Sequence, residues 1–234
     1  MFPLRDSIPS SRPPVVNVLL IVACVVVFVF ELSLGPYVER FLRAYAFVPY
    51  RFFHPGAAAG GILFNAKSAL LSMFLHGGWL HLIGNMWFLW IFGDNIEDVL
   101  GHLGYLVFYL GCGAAATFAQ AAIDPLSRVP LIGASGAIAG VLGAYLVWFP
   151  WARVRTLIFL GFFITTANLP APLFLILWFV VQFFSGTLAL ASTGAGAGGV
   201  AFFAHVGGFL TGGLIAFVLR RSGRVRPATR YSTF

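Results

Sequence analysis

Charge is scarce in this chain: only 9% of its 234 residues are Asp, Glu, Lys or Arg, against 60% hydrophobic. With a mean hydropathy of +0.94, a soluble domain of this size is excluded, because too little polar surface is available to face water. Acid is scarcer than base, 7 Asp+Glu against 14 Lys+Arg. A net charge of +7 could suit nucleic acid, but its placement excludes that partner. Five arginines (Arg220, Arg221, Arg224, Arg226 and Arg230) follow the last apolar run, where they suit an anionic lipid surface. Cysteine is nearly absent. Cys24 and Cys112 both lie inside apolar runs without CxxC spacing, so they read as packing residues, not as a disulfide or metal pair. There is no H-E-x-x-H for a zinc protease, no pair of aspartates at span centres, and no evident ligand set. No metal and no cofactor is expected.

What remains is a series of long apolar runs. Met1–Pro14 is polar and contains proline, so 1–14 is expected to be a flexible tail. Val15–Leu34 is long enough to span a bilayer at about 20 residues, and it lacks a small-residue cleavage pattern, so it reads as a retained first span. Gly35–Gly78 reads as a long first loop lying in the membrane interface, with scattered aromatics and Arg40, Arg43, Arg51 and Lys67. Further spans are expected at Trp79–Ile96, Leu103–Ile123, Ser135–Trp151, Ala171–Leu190 and Val200–Leu219. Thr156–Leu169 is apolar and rich in β-branched residues, but at about 14 residues it is short for a span. The expectation is therefore an all-α polytopic membrane domain, 15–219, with six transmembrane helices and a basic tail, 220–234. Six spans put both termini on one side, together with nine of the 14 basic residues, which the positive-inside rule makes cytoplasmic. A cell (inner) membrane is the expected location.

That topology brings three distant polar residues to one depth. Spans two, four and six enter from the same face, with His81 near the start of one, Ser135 at the head of the next and His205 about five residues into the last. The serine sits in Gly133-Ala134-Ser135-Gly136-Ala137-Ile138-Ala139-Gly140. At a helix head, backbone N–H groups lack intrahelical acceptors and suit a developing oxyanion. Span four carries a stripe at Gly136, Gly140 and Gly143, and span six carries His205, Gly208 and Gly212 on one face. Two glycine faces permit close helix approach, which would bring histidine to serine. His81 and Asn85, four apart, share a face of span two and can both donate to a carbonyl oxygen. Packing alone could explain the glycines, and interhelical hydrogen bonding the histidines. Their coincidence at one depth favours chemistry. His76 reads as structural or as a cavity wall, and His54 and His102 as surface residues without partners.

Gly133-Ala134-Ser135-Gly136 resembles the G-x-S-G of rhomboid intramembrane serine proteases. His76-Gly77-Gly78-Trp79-Leu80-His81-Leu82-Ile83-Gly84-Asn85 resembles their second span, and Ala204-His205-Val206-Gly207-Gly208-Phe209-Leu210-Thr211-Gly212 their sixth. The resemblance covers roughly Leu70 to Leu219. It implies a rhomboid-like six-helix fold with Ser135 as nucleophile and His205 as its base. It further implies an oxyanion hole of His81, Asn85 and the Ser135 N–H, and hydrolysis of peptide bonds in or near transmembrane segments. Substrates of the family are thought to enter laterally, past the second and fifth spans. Two positions depart from it. Lys67-Ser68 stands where many members carry Trp-Arg, and Ala139 where some place an aromatic ring beneath the histidine.

No carboxylate lies near the three motifs, so the machinery reads as a Ser–His dyad without the Asp of the usual triad. The G-x-S-x-G of α/β-hydrolases fails at Ala137. A small transporter lacks support, because there is no inverted hydropathy repeat and too little buried charge. The alternative within the resemblance is a non-catalytic protein that binds membrane clients. Loss of the serine or histidine would signal it, and both are present.

Overall fold

The computed structural model describes residues 2–54, 56, 61–160, 163–191 and 201–225. The glycine-rich stretch 192–199, the first residue of the expected sixth span, and Arg226 and Arg230 of the basic tail lie outside them. Helix α1, Val15–Ser33, is apolar with two buried exceptions, Asn17 and Glu31, each 1% exposed. Its first turn has no side-chain cap of its own. Glu97 supplies one from a distance, accepting the N–H of Val16 at 2.9 Å and of Asn17 at 2.7 Å. A carboxylate at the positive end of a helix is favourable. The Asn17 amide donates to the Leu89 carbonyl and accepts from the Tyr105 hydroxyl.

Short helical pieces follow before the next long helix, among the described residues a 3-10 turn at Gly35–Tyr37, α2 at Val38–Tyr45, α3 at Pro49–Phe53 and α4 at Gly61–Leu71, closed by a 3-10 turn at Ser72–Phe74. Aromatic contacts hold this loop to the bundle, with Phe47 and Phe52 both packed against Phe118.

Helix α5, Trp79–Ile123, has 45 residues, which at 1.5 Å per residue is about twice the thickness of a bilayer core. It turns at Gly101, whose φ of 70° and ψ of 167° break the helix. Glycine meets that left-handed φ without a Cβ penalty. The second half returns beside the first: the Tyr105 hydroxyl occupies space that a side chain on Gly93 would need, and the Asn17 amide fills the same gap. Among the described residues, α1, α5 and α8 (Phe202–Arg221) are long and apolar enough to cross a membrane. Shorter apolar stretches lie in α6, Ser135–Trp148, and at the start of α7, Ala171–Ala191.

The chain is mostly helical, but the all-α expectation needs correction. A three-stranded antiparallel sheet forms from β1 (Phe2–Asp6), β2 (Arg153–Leu160) and β3 (Phe163–Pro170), in the order β1-β2-β3. The hairpin is the apolar stretch that was too short to span; its β-branched residues suit a pleated ladder, with Thr156 opposite Ala167. The tail expected to be flexible supplies the outer strand, with Arg5 opposite Arg155. It finds acceptors and donors that its own composition does not reveal. Ser10 and Ser11 donate to Asp94 and Asp98, the Trp87 indole donates to the Pro3 carbonyl at 2.6 Å, and the Tyr145 hydroxyl donates to Asp6 at 2.5 Å. Burial raises the Asp6 carboxyl to about 7; repulsion from Asp94 adds to this, and the Tyr145 hydrogen bond opposes it.

Helices α6 and α8 run parallel in close contact. A Cβ on Gly208 would overlap the Gly136 carbonyl oxygen, one on Gly212 the Gly140 carbonyl, and one on Gly143 the Phe209 carbonyl. At the far ends the Trp148 indole donates to the Ala216 carbonyl at 3.0 Å and Arg220 to the Val147 carbonyl at 2.6 Å. The register is thereby held at both ends, and the two N-terminal ends lie side by side.

Candidate active site

Ser135 is the first residue of α6. The turn before it depends on Gly133, whose φ is 114° and whose N–H donates to the Ser72 carbonyl at 2.9 Å. The first intrahelical bond of α6 runs from the Ile138 N–H to the Ala134 carbonyl. The N–H groups of Ser135, Gly136 and Ala137 precede it and have no acceptor within the helix. His205, fourth in α8, is 7% exposed. Its Nε2 lies 2.7 Å from Ser135 Oγ. Its Nδ1 lies 2.6 Å from Gln182 Oε1 on α7. The Trp178 ring, one turn earlier on α7, sits 5.9 Å from the imidazole centroid.

His81 and Asn85 come from the first two turns of α5 and face the loop before the serine. A Cβ on Gly133 would stand 2.6 Å from His81 Nε2 and 3.5 Å from Asn85 Nδ2, so the two nitrogens converge on one point beside the serine loop. The Gly77 N–H points at His81 Nδ1 from 3.5 Å, which leaves the ring proton on Nε2. Asn85 is 8% exposed, and its Nδ2 has no hydrogen-bond partner among the described residues. All these groups line one cavity of about 950 Å³, walled by His81, Asn85, Ser135, Trp178, Gln182 and His205. A nucleophile, a base and convergent donors at one concave surface can perform acyl transfer.

A protein-family model described as the Rhomboid domain matches residues 64–222. The chain belongs to the rhomboid family. It is similar to presenilin-associated rhomboid-like protein, mitochondrial, of Bos taurus, 37% identical over 101 residues, or 42% of this chain and 26% of that protein. Rhomboid-like protein 11, chloroplastic, of Arabidopsis thaliana is 28% identical over 152 residues, covering 63% of this chain and 50% of that protein. Rhomboid protein 1, mitochondrial, of Saccharomyces cerevisiae is 33% identical over 96 residues, covering 39% and 28%. The chain spans a quarter to a half of the length of these curated relatives. Their names place them in organelles, so they give no support to the cell membrane expected above.

The two departures from the rhomboid motifs have local substitutes. Ala139 is fully buried and offers the histidine nothing; the ring is held from α7 instead, by Trp178 and Gln182. At Lys67-Ser68, the Ser68 hydroxyl donates to the Asn65 carbonyl, Ser72 donates to the Ser68 carbonyl, and the Phe47 N–H donates to Ser72. That serine chain ties the segment after α2 to the turn that closes α4. His76 lies behind His81, ring against ring at 5.3 Å, and its N–H faces the Glu31 carboxylate at 3.3 Å. Burial, and then the neighbouring His81, lower His76 to about 4, so it is neutral at physiological pH, and it sits behind His81 rather than among the residues that line the cavity. His54 and His102 both correct the expectation that they have no partners: His54 Nδ1 lies 3.0 Å from the Tyr50 carbonyl with its ring stacked on Tyr50, and His102 Nδ1 lies 2.5 Å from Glu97.

Gln182 escaped the sequence reading altogether. A faint signal was present: it is the one amide side chain in the apolar run 171–184, and it stands four residues after Trp178, on the same face of the helix.

Proposed function

We propose that this rhomboid is an intramembrane serine endopeptidase, which cleaves peptide bonds in or near transmembrane segments of membrane proteins. The observation that carries the reading is the 2.7 Å approach of His205 Nε2 to Ser135 Oγ. In this reading Ser135 Oγ attacks the scissile carbonyl carbon while its proton passes to His205 Nε2. The carbonyl oxygen takes up the negative charge between His81 Nε2–H, Asn85 Nδ2–H and the Ser135 N–H. His205 then hands its proton to the leaving amine nitrogen as the C–N bond breaks. A water molecule then attacks the acyl carbon, giving a proton to His205 Nε2, and His205 returns that proton to Ser135 Oγ as the ester bond breaks. Asn85 suits the oxyanion role because its buried amide has no partner among the described residues, and a buried donor without an acceptor is costly.

The six-span topology belongs to this reading. The bend at Gly101 divides α5 into two crossings, giving six with α1, α6, α7 and α8. Helix α6 has 14 residues, about 21 Å against a bilayer core of about 30 Å, so its head, with Ser135, lies below one surface in a wet cavity. The N-terminal strand and the C-terminal end of α8, with Arg220 and Arg221, lie at the opposite end, where the positive-inside rule predicts the cytoplasm or its organellar equivalent. Substrate segments enter laterally from the bilayer; no nucleic acid and no cofactor take part.

The test is cleavage of a membrane-embedded substrate by the purified chain in lipid. Activity in the wild type and its loss in Ser135→Ala and His205→Ala are expected. An inactive wild type that still retains membrane clients would favour the non-catalytic alternative.

A further inference from the structure

Beyond the two-residue machinery, we infer that Gln182 is a positioning residue for His205, so that the site works as a Ser–His–Gln triad drawn from three helices. The inference rests on the protease reading above.

A neutral imidazole carries one N–H, and which nitrogen holds it is set by the partner of the other. To take a proton from Ser135, His205 must present a lone pair at Nε2, so the proton must sit on Nδ1. Gln182 Oε1, 2.6 Å from Nδ1, accepts only from a protonated Nδ1. The amide oxygen therefore holds the base in its competent form. It keeps the same bond when Nε2 becomes protonated during the reaction, because Nδ1–H is conserved through the step. With the amide turned over, an N–H would face Nδ1, the ring proton would move to Nε2, and Ser135 would lose its base. When asparagine replaces the aspartate of a serine-protease triad, the histidine takes that wrong tautomer and turnover drops by about 10⁴; Gln182 avoids this outcome because its oxygen, not its N–H, faces Nδ1.

Other described neighbours of the ring do not offer an alternative acceptor at Nδ1. Ser135 is on the opposite nitrogen, Trp178 meets the ring as an aromatic contact at 5.9 Å, and Ala139 has no polar side chain. The titratable group that faces His205 from another helix is His81, across the cavity. Gln182 also explains how the histidine does without an aromatic ring on α6: both of its supports come from one face of α7. Movement of α7 would then withdraw the acceptor and the Trp178 ring together, coupling the base to the helix that walls the cavity.

The experiment compares Gln182→Leu and Gln182→Glu with wild type in the full chain, reconstituted in lipid. It measures kcat and KM on a membrane-embedded substrate, the rate of Ser135 labelling by a fluorophosphonate, and thermal melting. Gln182→Leu is expected to lower kcat and the labelling rate about 10²-fold, the cost of loosening a base by about 1 Å, with KM and melting unchanged. Gln182→Glu, which restores an acceptor, is expected to recover both rates to within about tenfold. Unchanged kcat and labelling in a folded Gln182→Leu would overturn the inference. So would a change confined to KM, which would make Gln182 a substrate contact, or equal losses in both variants. Absence of labelling and cleavage in wild type would instead overturn the protease reading on which the inference rests.

Discussion

Gly133 shows how much chemistry a missing side chain can decide. Its φ of 114° is open to glycine, and a methyl group there would stand 2.6 Å from His81 Nε2. Gly133→Ala is therefore expected to displace His81 and twist the loop before Ser135, lowering kcat by about 10², with the fold retained by melting. A wild-type rate would show that the oxyanion pocket does not lie between Gly133 and His81. Asn85→Ala removes a donor without adding bulk. The expected loss is about 10² to 10³ in kcat, with little change in KM. A rise in KM at constant kcat would make Asn85 a docking residue. That Ser135, His205, His81 and Asn85 would meet at one cavity was legible in the sequence, because their motifs place them at one depth on neighbouring helices. Gln182 was not, because its four-residue spacing from Trp178 is too faint a signal in an apolar run and its partner lies 23 residues away.

Among the elements, the parallel pair α6 and α8 sets the distance between Ser135 and His205. Gly208 touches the Gly136 backbone so closely that even a Cβ has no room. Backbone cannot rotate away as a side chain can, so the helices themselves must separate. Gly208→Ala is expected to reduce turnover by about 10² through a shift of about 1 Å. Phosphonate labelling and detergent melting should be measured together. Normal labelling would show that this seam does not set the Ser135–His205 distance. The sheet at the opposite end responds to pH through Asp6. Its folded value, raised to about 7, lies above the ordinary carboxyl value of about 3.9, so the folded chain binds a proton that the unfolded chain has released. Stability is then fullest below about pH 4 as far as this group is concerned, and is lost as pH rises toward 7. Asp6→Asn keeps an acceptor for Tyr145 and removes the titration. Its melting temperature should match wild type near pH 4 and exceed it by several degrees at pH 8. An advantage independent of pH would contradict this account of the buried carboxyl.

Across the whole molecule, the helical elements follow from apolar length, and the break at Gly101 falls inside the polar gap between Ile96 and Leu103 that marked two separate segments. The sheet was not legible for a physical reason: strand pairing is decided by partners remote in sequence. Nothing in Phe2–Asp6 announces that Arg153–Leu160 will offer it an edge, or that Asp94, Asp98 and Tyr145 will bind its neighbours. Thr156–Leu169 betrayed itself by being too short to cross a membrane and by its β-branched residues. With strand, hairpin and α7 joined in succession through Pro170, the sheet anchors one end of the helix that carries Trp178 and Gln182, while α6 and α8 fix Ser135 and His205. The central claim is that these parts together activate one serine. The most direct measurement is the site of fluorophosphonate attachment in the purified, lipid-reconstituted chain, read by mass spectrometry of its peptides. The account predicts a single adduct on Ser135, formed in wild type and abolished in His205→Ala although the serine is still present. An adduct on another residue, or labelling of Ser135 at an undiminished rate without His205, would contradict it.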